Sequence, residues 1–435
     1  MQPTARRRRP LRRVSRDGEN VPETGFHESV RGLACDGVPL SRVAKAEGTP
    51  LYVYSAAMVR DRFEAFDRAF APHPHTVHYA LKANSTLGLL RVLLGLGASV
   101  DANSGGEIEV ALRAGFTPPQ IILTGVGKRP DELARAVTLG VRAINAESAG
   151  ELERLDAIAR GQGRTAAVAL RVNPDIEAMT HRHISTGSRR NKFGVALADA
   201  AAVCRLAAAR PGLRFVGVHV HVGSQIVQLG PLQRAAAAVV GLARALRTDG
   251  VPIEYVDLGG GAGISYDGTP GLDLSAYASA LVGEVAGSGF SLLLEPGRFI
   301  VGPAGVLLAR IVDLKSHPDG RTFAVLDAGM TECLRPALYG ARHRIQPVSP
   351  REGSPSAYEV VGPVCESSDS FGADHGLPPL QVADLIAIRD TGAYGATMAS
   401  NYNRRPTPAE VLIEDGAWTV IRRRQSVDAM LAHEA

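Results

Sequence analysis

The sequence predicts an α/β fold, a closed (β/α)8 or TIM barrel, carrying a C-terminal β-sandwich or barrel-like domain. Three observations support that reading. Eight apolar, β-rich runs fall between residues 77 and 295, separated by segments of helical periodicity. From about residue 306 the rhythm shortens to strands joined by turns. Nearly every one of the eight runs also ends in a polar residue or a glycine cluster, the place where barrels of this kind collect their chemistry.

Residues 1–19 read as a disordered basic tail. Arginine stands at positions 6, 7, 8, 9, 12, 13 and 16, and residues 1–16 contain no acid. A twin-arginine or secretory signal needs an apolar segment next, and residues 14–23 offer none. The net charge of +4, less those seven tail arginines, leaves the remainder at −3, which argues against a nucleic-acid surface. A polyanion tether confined to the tail is a separate reading. Apolar content of 45% and charged content of 21% describe a globular chain, and 435 residues suffice for two domains. The longest apolar stretch, 235–246, is cut by Arg244 and falls short of the roughly 18 residues a membrane helix needs. The expectation is a cytoplasmic protein with no membrane partner. Four cysteines (35, 204, 333 and 365) without CxxC spacing point to a reducing compartment and free thiols. No HExxH or similar ligand set occurs, and His181 with His183 reads as a polar loop, so no metal is expected.

Residues 20–50 are short-patterned and are assigned to the β domain, 51–305 to the barrel, and 306–435 to the β domain. The barrel strands are expected near 77–81, 98–101, 120–123, 141–145, 167–173, 215–221, 253–258 and 291–295. Helices are expected near 86–96, 105–115, 130–139, 148–160, 197–209, 231–248 and 273–287, with Ser148 and Glu151 at capping-box spacing. An open doubly wound sheet is the alternative, and the count of eight favours closure. Beyond 306, strands are expected at 306–313, 322–327, 357–362, 383–388, 410–414 and 417–421, with Pro347, Pro350 and Pro355 marking a loop.

The strand ends read Lys82, Asp101, Thr124-Gly125, Asn145, Arg171-Val172-Asn173, His221, Gly259-Gly260-Gly261 and Glu295. A lysine closing a buried strand is expected to have a lowered pKa and a free amine fit for Schiff-base chemistry; a lysine that snorkels out is the plain alternative. Taken together these groups fit pyridoxal phosphate, with Asp101 and Arg171 assigned to the cofactor beside the lysine. Amides of the glycine run, after a strand, can approach a phosphate, although a tight turn would need the same residues. His221 offers a flat ring to stack on a pyridine face, or a hydrogen-bonded core histidine. Glu295 can hold a proton on the pyridine nitrogen, which keeps the ring an electron sink; otherwise it is a structural partner of Arg298. The glycine run lacks GxGxxG spacing and stands late in the chain, against a dinucleotide fold.

Seven segments in order then resemble one family: Tyr79-Ala-Leu-Lys-Ala-Asn84, His221-Val-Gly-Ser-Gln225, Gly259-Gly-Gly261, Glu295-Pro-Gly-Arg298, Arg335-Pro-Ala-Leu-Tyr339, Cys365-Glu-Ser-Ser-Asp369, and Gly392-Ala-Tyr-Gly395 with Met398-Ala-Ser-Asn-Tyr-Asn403. They are similar to the diaminopimelate decarboxylases, in the alanine-racemase-like (fold type III) class of pyridoxal phosphate enzymes, from about residue 25 to the C-terminus. The resemblance implies that Lys82 carries the cofactor and His221 stacks on it. Ser224, Gly259, Gly260, Gly261, the Glu295-Pro-Gly297-Arg298 turn and Tyr394 would hold its ring and phosphate. Arg298, Arg335, Tyr339, Glu366 and Tyr394 would meet the substrate, and Cys365 would donate the proton after carbon dioxide leaves. It also implies a homodimer with shared active sites, the Cys365-Glu366 segment reaching the other subunit.

Physical chemistry supports two of these roles directly. Arg335 can grip a distal carboxylate bidentately and Glu366 can receive an ammonium, so a substrate with an amino-acid group at both ends satisfies both. The expected reaction is decarboxylation of meso-2,6-diaminopimelate to L-lysine and carbon dioxide, the last step of lysine biosynthesis. The alternative is a paralogous decarboxylase of another carboxylate-bearing or carrier-bound amino acid in a secondary-metabolite pathway. Two departures from the family bear on it: Met330-Thr-Glu-Cys-Leu334 stands where Asn-Asp is expected before Arg335, and serine follows Cys365-Glu366 where glycine is usual. A non-catalytic cofactor-binding barrel is the reading from another class; the added β domain with Arg335, Cys365 and Tyr394 speaks against it.

Overall fold

The structure, a computed structural model, describes residues 25–177, 186–187 and 191–434. The arginine tail and the His181–His183 pair lie outside the described residues. The chain starts with three short antiparallel strands, β1 (Phe26–Ser29), β2 (Gly32–Cys35) and β3 (Val38–Pro39), then helix Leu40–Glu47 and strand β4 (Leu51–Ser55).

The barrel follows. Its strands are β5 (His75–Ala80), β6 (Ser99–Ala102), β7 (Ile121–Leu123), β8 (Ala143–Ala146), β9 (Ala166–Asn173), β11 (Leu213–His219), β12 (Tyr255–Asp257) and β13 (Ser291–Leu294). All pairings are parallel, and β8 with β9 and β13 with β5 close the ring. A two-residue strand, β10 (Val195–Ala196), adds to the carboxyl end of β9. The eight-stranded closed barrel is the one read from the sequence. Ring strands are covered on both faces, which is why they read as short apolar runs rather than alternating ones. Ile122, Ala143, Ala169, Val216, Tyr255 and Leu293, one from each of six strands, form a separate cluster inside the barrel.

The helices after the strands fall where periodicity puts them, from Leu87–Gly95 through Leu274–Val285. Ser148 caps its helix by accepting the Glu151 amide at 3.1 Å, but the reciprocal half of the capping box is diverted: the Glu151 carboxylate pairs with Lys128 at 2.6 Å. One long helix, Ala56–Phe70, is an addition to the expected set. It starts at Ser55, whose hydroxyl accepts the Met58 amide, and lies between helices Leu87–Gly95 and Leu274–Val285, completing the ring ahead of β5. Its buried Val59, Phe63, Phe66 and Phe70 recur at helical spacing, and each contributes about 1.5–3 kcal/mol by burial.

Beyond the barrel, β14 (Gly305–Ser316), β15 (Thr322–Leu326), β16 (Ile345–Pro347), β17 (Ser356–Val361), β18 (Ser370–Leu377), β19 (Leu385–Ile388), β20 (Ala409–Glu414) and β21 (Ala417–Arg422) build a mixed sheet in the order β18-β17-β15-β14-β4-β20-β21, with β19 joined to β14 and β16 to β19. Thus β4, which lies in the segment assigned to the barrel, is a strand of the mixed sheet, antiparallel to β14 and parallel to β20. The reason is in its alternation. Tyr52 and Tyr54 face the barrel's core, while Leu51 and Val53 join a second core with Leu33, Val306 and Val411. Two strands add to the expected set. Pro347 closes strand β16, and β18 is a further strand whose pattern Gly372, Asp374, His375 and Gly376 hide.

Candidate active site

Strand β5 delivers Lys82 on a single 3-10 turn, Leu81–Ala83. That turn is held from both sides. The Tyr79 hydroxyl donates to the Asn84 carbonyl at 2.9 Å, the Tyr394 amide donates to the Ala83 carbonyl at 2.9 Å, and Asn84 Nδ2 donates to the Gly392 carbonyl at 3.1 Å. The β-sheet unit therefore fixes the backbone that aims the lysine. Lys82 enters a cavity of about 450 Å³ that Arg171, His221, Ser224, Arg298, Tyr339 and Tyr394 also line.

The expected fall in the Lys82 pKa does not occur. Burial opposes its charge, but Asp101, Tyr394 and Glu295 outweigh burial and hold the ammonium above its usual value. Asp101 Oδ2 lies 3.9 Å from Nζ. Its own carboxyl is pushed up to about 7, by burial first and by Glu295 next. Lys82 is thus a paired ammonium.

Glu295 closes β13, and its carbonyl and carboxylate serve different ends. Oε2 lies 3.3 Å from His219 Nε2, and Oε1 is buried without a hydrogen-bond partner among the described residues. Burial works against its ionisation, yet His219 above all other neighbours holds the carboxyl well below the usual carboxylate range. Asp257, His219 and Glu295 bring ligand atoms within 4.8 Å of one another. Asp257 is pushed up instead, by burial and then by Glu295.

The glycine run passes against the carbonyls of these strands. A Cβ on Gly260 would stand 2.2 Å from the Glu295 carbonyl oxygen, and one on Gly261 would stand 2.6 Å from that of Gly223. Only glycine permits that approach, and Gly261 also adopts φ +106°. Asp257 Oδ1 accepts the Gly259 amide at 2.9 Å, and His221 Nδ1 accepts the Gly260 amide at 3.2 Å. His221 is pushed well below its ordinary value by burial, then by Lys82 and Arg171, so its ring is neutral. Gly261, Glu295, Gly297, Arg298, Ser224 and Tyr394 line a small recess adjoining Lys82. These residues fit pyridoxal phosphate: an amine, a neutral ring, a glycine cradle, and a buried anionic oxygen with no partner of its own.

Arg298 donates to the Tyr266 hydroxyl and, at 3.1 Å, to Ser224 Oγ, and it lies over the Tyr394 ring at 4.7 Å. Arg335 opens the short helix Arg335–Tyr339 and packs over Tyr266 at 4.4 Å. Arg335 and Tyr339 line a neighbouring cavity of about 350 Å³, and Tyr339 belongs to both cavities. Arg171 reaches the main cavity with its charge already met by Glu147 at 2.7 Å. Cys365 and Glu366 are brought to neither cavity. Both are exposed, and Glu366 accepts the Tyr402 hydroxyl at 2.9 Å. Several site residues carry no signal that the sequence reading used. Lys128 lies buried at the cavity with the Glu151 pair, Phe193 stacks on Arg171 at 4.5 Å, and His219 precedes His221 by two residues at the end of β11. That period of two was the available signal for His219.

A barrel whose first strand presents a lysine to a glycine cradle and a buried carboxylate defines a pyridoxal-phosphate-dependent enzyme. Residues 56–302 match the family described as "Pyridoxal-dependent decarboxylase, pyridoxal binding domain". The chain is 45% identical over 404 residues to a diaminopimelate decarboxylase of Pseudomonas aeruginosa, covering 93% of this chain and 97% of that one. It is 43% identical over 402 residues to one of Neisseria meningitidis serogroup A, covering 92% and 98%. The structure of a Helicobacter pylori diaminopimelate decarboxylase complexed with L-lysine matches at TM-score 0.88 and 39% identity, over 91% of this chain and 99% of that one. The chain belongs to the diaminopimelate decarboxylase family.

Proposed function

We propose that the chain decarboxylates meso-2,6-diaminopimelate to L-lysine and carbon dioxide, closing lysine biosynthesis in the cytoplasm as a homodimer. The observation that carries this reading is a pair of buried guanidiniums, Arg298 and Arg335, flanking Tyr266 beside the Lys82 cavity, with no carboxylate paired to either among the described residues. They suit a substrate that keeps one carboxylate while it loses another.

Bound here, pyridoxal phosphate supplies the electron sink for the pair left behind when carbon dioxide departs. Lys82 would bind it covalently through Nζ, and the Asp101 carboxylate 3.9 Å away would stabilise positive charge on that nitrogen. Glu295 Oε1 would receive the pyridine N–H, with His219 keeping Glu295 anionic. His221 would cover one ring face, its orientation set by the Gly260 amide. Gly259, Gly260, Gly261, Gly297, Ser224 and Tyr394 would surround the phosphate, while Arg171, held by Glu147, would border the ring. Arg298, Arg335 and Tyr339 would hold the distal carboxylate.

Cys365 and Glu366 would come from a second copy, Cys365 giving its proton to the reacting carbon and Glu366 accepting the distal ammonium. Their exposure away from this chain's own cavities supports that assignment. The Met330–Leu334 departure gives no support to another substrate. Glu332 turns inward, accepting the Gly329 amide at 2.8 Å and the Thr331 hydroxyl at 2.9 Å, so it shapes the loop and not the cavity. Carbon dioxide release from meso-diaminopimelate, lysine, ornithine and glutamate tests the proposal. Turnover confined to the first is expected, and turnover of another in its place sinks it.

A further inference from the structure

Arg335 has a neutral partner where an acid would be ordinary. Its Nη1 lies 2.9 Å from His343 Nε2, and His343 Nδ1 lies 2.8 Å from the carbonyl oxygen of Arg389. A carbonyl can only accept, so Nδ1 carries the hydrogen and Nε2 offers its lone pair to the guanidinium. The ring is 2% exposed and stands edge-on to Tyr266, centroids 5.1 Å apart. Tyr266 also carries Arg335 on its face at 4.4 Å. Arg335, at 4% exposed, is thus clamped by one acceptor and one ring.

The chemistry of that clamp matters. A carboxylate at position 343 would aim the guanidinium equally well but would neutralise it and compete with an incoming anion. A neutral imidazole aims one N–H and leaves the positive charge and the remaining N–H groups for a ligand. Burial and the adjacent Arg335 push the His343 pKa down to about 3, so the ring stays an acceptor at neutral pH. The next residues secure it from behind: Arg344 pairs with Asp390 at 2.9 Å, so the 343–344 and 389–390 segments are tied twice.

We infer that His343 is a positioning residue for carboxylate recognition: by holding Arg335 through a neutral acceptor, it sets the affinity for the substrate's distal carboxylate without touching the substrate. This rests on the reading of Arg335 given above. The product L-lysine keeps that carboxylate, whereas 1,5-diaminopentane has none, so the two ligands separate the role from general damage.

The test uses the cofactor-loaded enzyme. His343→Leu is expected to raise the KM for meso-diaminopimelate and the inhibition constant of L-lysine by about 10- to 100-fold, the size of a lost hydrogen bond to a charged group. The kcat, the cofactor's absorbance and inhibition by 1,5-diaminopentane should stay within about threefold, below the 1.4 kcal/mol that a factor of ten represents. His343→Gln, whose carbonyl can reach the Nε2 position, is expected to restore most of the affinity, and His343→Asn, which is shorter, to restore little. The Gln and Asn variants carry the comparison alone if the leucine variant fails to fold. Equal losses for L-lysine and 1,5-diaminopentane, or Gln no better than Asn, would overturn the inference. A wild type that turns over meso-diaminopimelate beside an unaffected His343 series sinks the inference alone. A wild type inert toward that substrate takes both readings down.

Discussion

The imidazole of His219 and the carboxylate of Glu295 meet at 3.3 Å in a part of the barrel sealed from solvent, and Asp257 completes a triangle with them. Three titratable groups are packed together there. His219 holds the Glu295 carboxyl below its usual range, while burial and then Glu295 push the Asp257 carboxyl up. Burial first and the Glu295 charge next raise the Asp101 carboxyl to about 7. The site is therefore an electrostatic unit before anything binds.

Asp101 gives that unit a pH signature in the apoenzyme. Its folded pKa lies above its ordinary 3.8, so between about pH 4 and 7 the folded chain keeps a proton that the unfolded chain has lost. Stability from this group is present at low pH and is lost as pH rises through about 7. Urea unfolding from pH 4.5 to 8 should show Asp101→Asn gaining on the wild type up to about pH 7 and running parallel above it. A constant difference across the range contradicts the assignment.

The glycine cradle makes a separate prediction. A methyl group at residue 260 would stand 2.2 Å from the Glu295 carbonyl oxygen, so Gly260→Ala must displace the loop or the strand. Overpacking of this kind costs about 1–3 kcal/mol. The variant should melt lower and bind pyridoxal phosphate more weakly in an absorbance titration. Unchanged cofactor affinity would detach the cradle from the cofactor.

Sharing of the site between copies is open to complementation. Lys82→Ala should fold yet lose both the cofactor's covalent absorbance and decarboxylation. Cys365→Ala should keep the absorbance and lose about 10²- to 10⁴-fold in kcat, the usual worth of a positioned proton donor. Mixing the two inactive variants and allowing subunit exchange should recover about a quarter of wild-type activity, since half the twofold dimers are mixed and each has one intact site. No recovery after demonstrated exchange counts against a shared site.

Helix Ala56–Phe70 carries a stability prediction. Phe66 is 1% exposed and packs on Phe70 at 5.1 Å and Phe299 at 5.5 Å. Phe66→Ala should cost about 3–5 kcal/mol in chemical denaturation, with a denaturant slope close to the wild type's. A loss below about 1 kcal/mol would mean that the helix is not anchored as described.

The barrel is legible in the sequence because its strands are buried on both faces and end in chemistry. Runs such as Ala166–Asn173 announce both features at once. Helix Ala56–Phe70 is equally legible in its Val59, Phe63, Phe66, Phe70 spacing, but it precedes the first barrel strand and so escapes a count that pairs each helix with the strand before it. The fate of Lys82 is not readable locally. Its strand predicts desolvation, but the deciding carboxylate, Asp101, arrives from the neighbouring strand through the sheet pairing Ala80 to Asp101. His343 is hidden for a similar reason: its partners Arg335 and Arg389 lie 8 and 46 residues away, with nothing local to mark the ring.

The placement of β4 between β14 and β20 has a consequence for biosynthesis. On the ribosome, Leu-Tyr-Val-Tyr-Ser emerges about 250 residues ahead of its first neighbour and about 350 ahead of its second. At roughly 5–20 residues per second, the backbone edges of this strand wait tens of seconds for partner strands. The nascent chain must shelter it meanwhile, and a message broken before residue 409 yields a product with an open, sticky flank however complete its barrel.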